Sequence, residues 1–298
     1  TGVKMRIGAF GLDEPIPELK EPHVLAILRA WIDVNNVGSL TLDGLEEQFG
    51  ARELAKLAKP GNFFDFTRYR PTTYLEGDSR RIKIPNTVLS YARREKGNDF
   101  VFLRMLEPHS LSEVYVDSVS QLLTALRAKR YCLLGSMYDV VPHTKPLLVS
   151  GRATGKEAEQ DLKKAGVQTS NYQGPTTILN LIAQKAQEVG IETITFIVSL
   201  PQYVNVDEDY LGKVRLMEIL NLLYDIPIDK KDFEKAARQR SLISQKVETT
   251  PELKKVLSHL EGIYATRISK KEGERVIGLS PEMEEIFWET DEKDFGKA

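Results

Sequence analysis

Four apolar runs of strand length each break into a short polar, proline- or histidine-containing loop, and this recurrence restricts the chain to few folds. Residues 24–32 lead into Asp33-Val34-Asn35-Asn36, and residues 100–106 into Glu107-Pro108-His109. Residues 131–134 lead towards Tyr138-Asp139-Val140-Val141-Pro142-His143, and residues 191–199 into Pro201-Gln202-Tyr203. Continuous apolar runs suit strands buried on both faces. Helical periodicity between the runs then predicts right-handed βαβ units. The expected fold is α/β: three-layer α/β/α with a mostly parallel central sheet. In such sheets ligands sit in a crevice at the carboxyl ends of the strands.

The intervening segments carry their own signals. Val37, Leu40, Thr41, Leu45 and Phe49 recur at helical spacing. Residues 62–84 are aromatic and arginine-rich, with a Glu76-Gly77-Asp78 turn, and read as a β-hairpin. Ser110-Leu111-Ser112-Glu113 has the form of a capping box opening a helix with Leu111, Val114, Ser118 and Leu122 on its inner face. A helix is expected around 156–165, and another opened by Gly174-Pro175 and closed by Gly190. From Asp229 the pattern is helical only, with Asp229 and Thr250 as caps and Leu253, Val256, Leu257 and Leu260 as a stripe. One domain is expected over 1–265, followed by a charged tail over 266–298 that includes Ile286-Phe287-Trp288 and reads as a mobile tail or an isolated docking helix.

A net charge of −2 supplies no global field for nucleic acid or an anionic membrane. No apolar stretch approaches the roughly 20 residues that span a bilayer. Met5 reads as the natural start, and no basic segment followed by an apolar one marks a secretory leader. The single cysteine, Cys132, lies in an apolar run and excludes a disulfide framework, so a cytoplasmic setting is expected.

The densest chemistry lies at the strand ends. His143, between two prolines, could act as a base, a relay or a ligand, or could hold a rigid turn. With a parallel sheet, Asp33, Glu107, His109, Asp139 and His143 would share one crevice. None shows the i,i+4 spacing of zinc motifs, so no metal and no cofactor are expected. Tyr172-Gln173-Gly174-Pro175 leads towards a helix start suited to an anion. No P-loop, dinucleotide fingerprint or nucleophile elbow occurs. The interleaved aromatics and arginines of 63–71 could stack on bases or anchor a protein partner, and the neutral overall charge favours the partner.

These motifs occur together in one order: Trp31-Ile32-Asp33 with Asn36-Val37-Gly38, Asp65-Phe66, Arg70-Pro71, Glu107-Pro108, Asp139 through His143-Thr144-Lys145-Pro146, Tyr172 through Pro175, and Pro201-Gln202-Tyr203-Val204. The set resembles the proteasome assembly chaperone 2 family, in its bacterial and archaeal branch, from about residue 22 to 260. The resemblance implies a fold similar to nucleoside phosphorylases and hydrolases, and self-assembly into trimers or larger rings. It also implies a protein client, since relatives chaperone proteasome α-subunits. Archaeal relatives that dock on proteasomes use a C-terminal hydrophobic-tyrosine-any tripeptide. Here the last residues are Asp294-Phe295-Gly296-Lys297-Ala298, so capture by that plug is not expected.

Two functions follow as expectations. One is a self-associating scaffold that assists assembly of other proteins, with no nucleic-acid or membrane partner. The other is a hydrolase or phosphorylase-like transferase in which His143 is the base, Asp139 orients it, and Glu107 and Asp33 complete the site. Arg70, His109, Lys145, Tyr172, Gly174 and Tyr203 would then bind the ligand.

Overall fold

The computed structural model describes residues 4–269, apart from positions 14 and 30. The chain opens with β1 (Lys4–Ile7), β2 (Phe10–Asp13) and β3 (His23–Arg29), followed by α1 (Val37–Gln48) and β4 (Arg52–Leu57). Next come the hairpin β5 (Thr72–Glu76) and β6 (Ser79–Lys83), then β7 (Val88–Ala92), β8 (Phe100–Leu106), α2 (Ser112–Ala125) and β9 (Arg130–Asp139). The second half holds β10 (Val149–Thr154), α3 (Lys156–Ala165), β11 (Gln168–Thr169), α4 (Ile178–Glu188), β12 (Glu192–Pro201) and α5 (Tyr210–Tyr224). Helices α6 (Lys230–Thr249) and α7 (Pro251–Ser269) complete the described chain.

The four predicted runs become β3, β8, β9 and β12, which lie side by side in the order β8-β3-β9-β12, all parallel. Successive side chains alternate between faces. Val24, Ala26 and Leu28 of β3 therefore enter one core with Tyr115 and Leu122 of α2 and Ile182 of α4. Leu25 and Ile27 enter the other with Leu42 of α1 and Leu216 of α5.

The sheet as a whole is mixed, not mostly parallel. Beyond β8 come β7, β4, β2 and β1, each antiparallel to its neighbour, and β10 runs antiparallel to β12. The physical reason lies in the connection lengths. A parallel crossover needs a dozen or more residues, and only residues 93–99 separate β7 from β8.

Two helix starts also differ from expectation. Ser110 donates its hydroxyl to the Asn62 carbonyl (2.6 Å), so no capping box forms, and α2 starts after Leu111 in a left-handed conformation (φ 52°). Leu111 and Val114 are exposed; Tyr115, Val119 and Leu122 make the buried face. Helix α4 begins at Ile178 with Thr177 as its cap, beyond Gly174-Pro175. At α6 the predicted Asp229 cap is present, accepting from Lys231 N (2.9 Å). The stripe of Leu253, Val256 and Leu260 is buried.

The hairpin β5–β6 forms its own two-stranded sheet, and every residue of both strands is exposed. Gly77, at φ +58°, takes the tight loop as the sequence predicts. Past the end of the β3–β9 ladder, with β9 still paired to β12, Gly135 permits close approach: a Cβ there would stand 2.5 Å from Ile32 O. Gly135→Ala is expected to cost about 1–3 kcal/mol of stability through this overlap, measured by urea unfolding.

Candidate functional site

The strand ends form one rim, and most of its polar groups are engaged in holding helices. Asp33 Oδ1 accepts the α1 amides of Gly38 (2.7 Å) and Ser39 (3.2 Å), and its Oδ2 accepts the Ser39 hydroxyl. The helix start is thereby satisfied by a side chain and is not open to a ligand. Asn35 and Asn36, both left-handed, bind the loop after β12: Asn36 Nδ2 donates to Asp207 O (2.8 Å) and Asn35 Nδ2 to Val204 O (3.4 Å), while Asn35 Oδ1 accepts from Tyr138 OH of β9 (2.9 Å).

His143 is buried with both ring nitrogens engaged. Nδ1 lies 2.7 Å from Tyr203 OH, which also accepts the His143 amide (2.7 Å). Nε2 lies 3.1 Å from Ser244 Oγ on α6. Tyr203 is thus placed to donate to Nδ1 while Nε2–H donates to Ser244. Arg240 of α6 donates twice to His143 O (3.2 Å each). Burial, aided by Arg240, lowers the imidazole pKa and keeps the ring neutral.

Asp139 does not orient His143. Its Oδ2 accepts from Ser199 Oγ (2.8 Å) and from both terminal nitrogens of Arg267 on α7 (3.0 Å). Thr144 and Pro146 bind the same helix through Glu261 and Tyr264. The segment 139–146 is therefore the seat of the C-terminal helical pair, whose second helix runs to Ser269. Sequence reasoning could not find these partners, which lie about a hundred residues or more downstream.

The carboxylates expected to converge serve opposite faces. Asp33 meets α1, whereas Glu107 Oε1 accepts from Ile178 N (3.2 Å) at the start of α4, in the other core. Glu107 Oε2 is buried without a hydrogen bond among the described residues, and burial raises the pKa of the carboxyl. His109 Nδ1 accepts from Asp65 N (3.1 Å), and its ring lies 4.7 Å from that of Tyr69. Lys145, Tyr172 and Gly174 are exposed, with Tyr172 OH donating to Pro175 O (3.0 Å). Among the described residues no group of three His, Cys, Asp or Glu is placed to hold a metal ion, and no helix is long and apolar enough to cross a membrane.

The open space lies one strand further along. A cleft of about 780 Å³ sits over the carboxyl ends of β3 and β8, beside α1 and the base of the hairpin. Helix α1 follows β3 on one face and α2 follows β8 on the other, so the cleft occupies a topological switch point. Arg104 within it is held by Asp43 (2.7 Å) and Glu46. Arg29, Arg70 and Lys83 also line it, and among the described residues no ion pair or hydrogen bond holds their side chains. Arg68 has only Asp65, at 3.9 Å. Of the expected ligand-binding residues, Arg70 alone lines this space. The arginine-rich stretch signalled it; Arg29 and Lys83 carried no local signal.

The fold and rim define an α/β protein with a helix-sealed strand edge and a basic cleft. The PAC2 family profile matches residues 27–247, and the chain belongs to the PAC2 family. Its fold is similar to that of a PAC2 family protein from Streptomyces avermitilis (TM-score 0.71, 23% identity, covering 79% of this chain and 99% of that one). It is also similar to a Mycobacterium tuberculosis proteasome-assembly chaperone homologue (TM-score 0.69, 20% identity, 79% and 99% covered). A Pyrococcus furiosus archaeal proteasome activator shares the fold at TM-score 0.62 and 14% identity, with 80% and 98% covered. No curated protein matches the chain by sequence.

Proposed function

We propose that this protein is a self-associating scaffold that assists assembly of other proteins, as its relatives' descriptions suggest for the family. The observation that carries the reading is the projecting hairpin. Its register puts Thr73, Leu75, Arg80 and Ile82 on one face, with Leu75 73% and Ile82 65% exposed. A lone two-stranded hairpin is marginal in water, and covering this apolar face with another copy would stabilise it. The engaged nitrogens of His143 support the same reading, because Nδ1 meets Tyr203 and Nε2 meets Ser244 of α6. Light scattering at micromolar concentration should give three or more times the 33.7 kDa chain mass. Leu75→Asp with Ile82→Asp should reduce that mass while the far-ultraviolet spectrum stays unchanged. A monomeric parent protein would overturn the proposal.

The basic cleft favours a second reading, an enzyme of phosphorylase-like layering that takes a small anionic molecule at the strand ends. Arg70 would pair with the anion. Under that reading Arg70→Ala stays folded and loses ligand affinity with no change in assembly.

A further inference from the structure

The basic cleft and the acidic segment 282–294 are complementary in charge and chemistry. Residues 282–294 carry seven acidic side chains against the single Lys293, and Ile286-Phe287-Trp288 sits among them. The cleft offers Arg29, Arg70 and Lys83 without carboxylate partners among the described residues, and the weakly held Arg68. Thr72 and Lys83 line it opposite each other in the hairpin, so Tyr74, two residues along, shares their face. Tyr74 is 46% exposed and Ile84, also in the lining, 49%. Cations beside exposed apolar side chains suit a segment in which carboxylates flank an apolar Ile286-Phe287-Trp288 run.

The chain leaves α7 close to this place. Arg267 is fastened to Asp139 at the end of β9, and β9 lies next to β3, which lies next to β8. Two strand spacings amount to about 10 Å. The thirteen residues from Ser269 to Glu282 can extend to about 43 Å, long enough for the acidic segment to reach the cleft of its own chain.

We propose that residues 282–294 dock intramolecularly in the cleft over β3 and β8. Their carboxylates pair with Arg29, Arg70 and Lys83, and Phe287 and Trp288 pack on Ile84 and Tyr74. The segment then competes with any anionic ligand for the same cations, and added salt weakens its hold.

The full chain provides the test, because its only other tryptophan is Trp31. In Trp31→Phe, Trp288 should resist acrylamide quenching, and adding Arg29→Glu, Arg70→Glu and Lys83→Glu should raise its quenching several-fold. Equal quenching in the two proteins would overturn the proposal. In the unaltered protein, carbodiimide should join Lys83 to Glu282, Glu284 or Glu285. Absence of that link would also overturn it. With mixed isotopic labels the joined peptides should carry one label; mixed-label links would assign the segment to a neighbouring copy and refute intramolecular docking.

Discussion

Asp232→Ala is expected to lower the unfolding free energy by about 3–5 kcal/mol, the usual cost of leaving one member of a buried ion pair alone. Lys213 of α5 and Asp232 of α6 are each 8% exposed, and the ammonium contacts both carboxylate oxygens (2.9 and 2.8 Å). Without Asp232, the cation remains enclosed beside α1, where a Cβ on Gly44 would stand 3.2 Å from Lys213 Nζ. The double variant Lys213→Met, Asp232→Leu removes both charges and should recover most of the loss, because the desolvation cost disappears along with the attraction. Urea unfolding of the four proteins in this cycle checks the prediction. A loss below 1 kcal/mol in Asp232→Ala would show that water reaches the ammonium.

Acid should destabilise the fold well before general carboxylate titration is complete. His23 is 5% exposed, with Nδ1 2.9 Å from Tyr224 OH. Burial, then the nearby charges of Arg130, Lys129 and Arg94, lowers its pKa from 6.5 to about 3. The folded state therefore resists a proton that the unfolded chain takes up below pH 6.5. This contribution is complete above pH 6.5 and is lost as pH falls towards 3, at about 1.4 kcal/mol per pH unit, or about 5 kcal/mol in all. His143, shifted in the same direction, adds to the slope. Stability measured between pH 7 and 5 should fall with decreasing pH, and His23→Gln should remove close to one proton's worth of that slope. An unchanged slope in the variant would mean that the neutral imidazole is not what the folded state selects.

The four parallel strands were legible because strands buried on both faces must be apolar at consecutive positions, and 24–28 and 100–103 are. The hairpin was legible because Gly77 supplies the conformation its loop requires. The capping box failed because Ser110 found a carbonyl 48 residues away, a competitor that no local pattern displays. The candidate site was half legible. Asp33, Asp139, His143 and Tyr203 do stand at strand ends, but Asp33 and Glu107 turn to opposite faces, and Asp139 meets Arg267. A side chain's direction depends on strand register and on which helix covers it, and neither is written in the loop itself.

By itself, then, the sequence determined where β3, β8, β9, β12, the β5–β6 hairpin and most helices form, since propensity, periodicity and turn chemistry act over a few residues. It also placed the polar loops along one edge of the sheet. The tertiary structure alone decided what those loops do: contacts spanning sixty to a hundred and thirty residues fastened His143 and Asp139 to the strand-end loops and the C-terminal helices, and left Arg29, Arg70 and Lys83 facing an open cleft. The physical reason is range. Hydrogen bonds, ion pairs and desolvation act through space, and the chain must fold before it is known which groups they join.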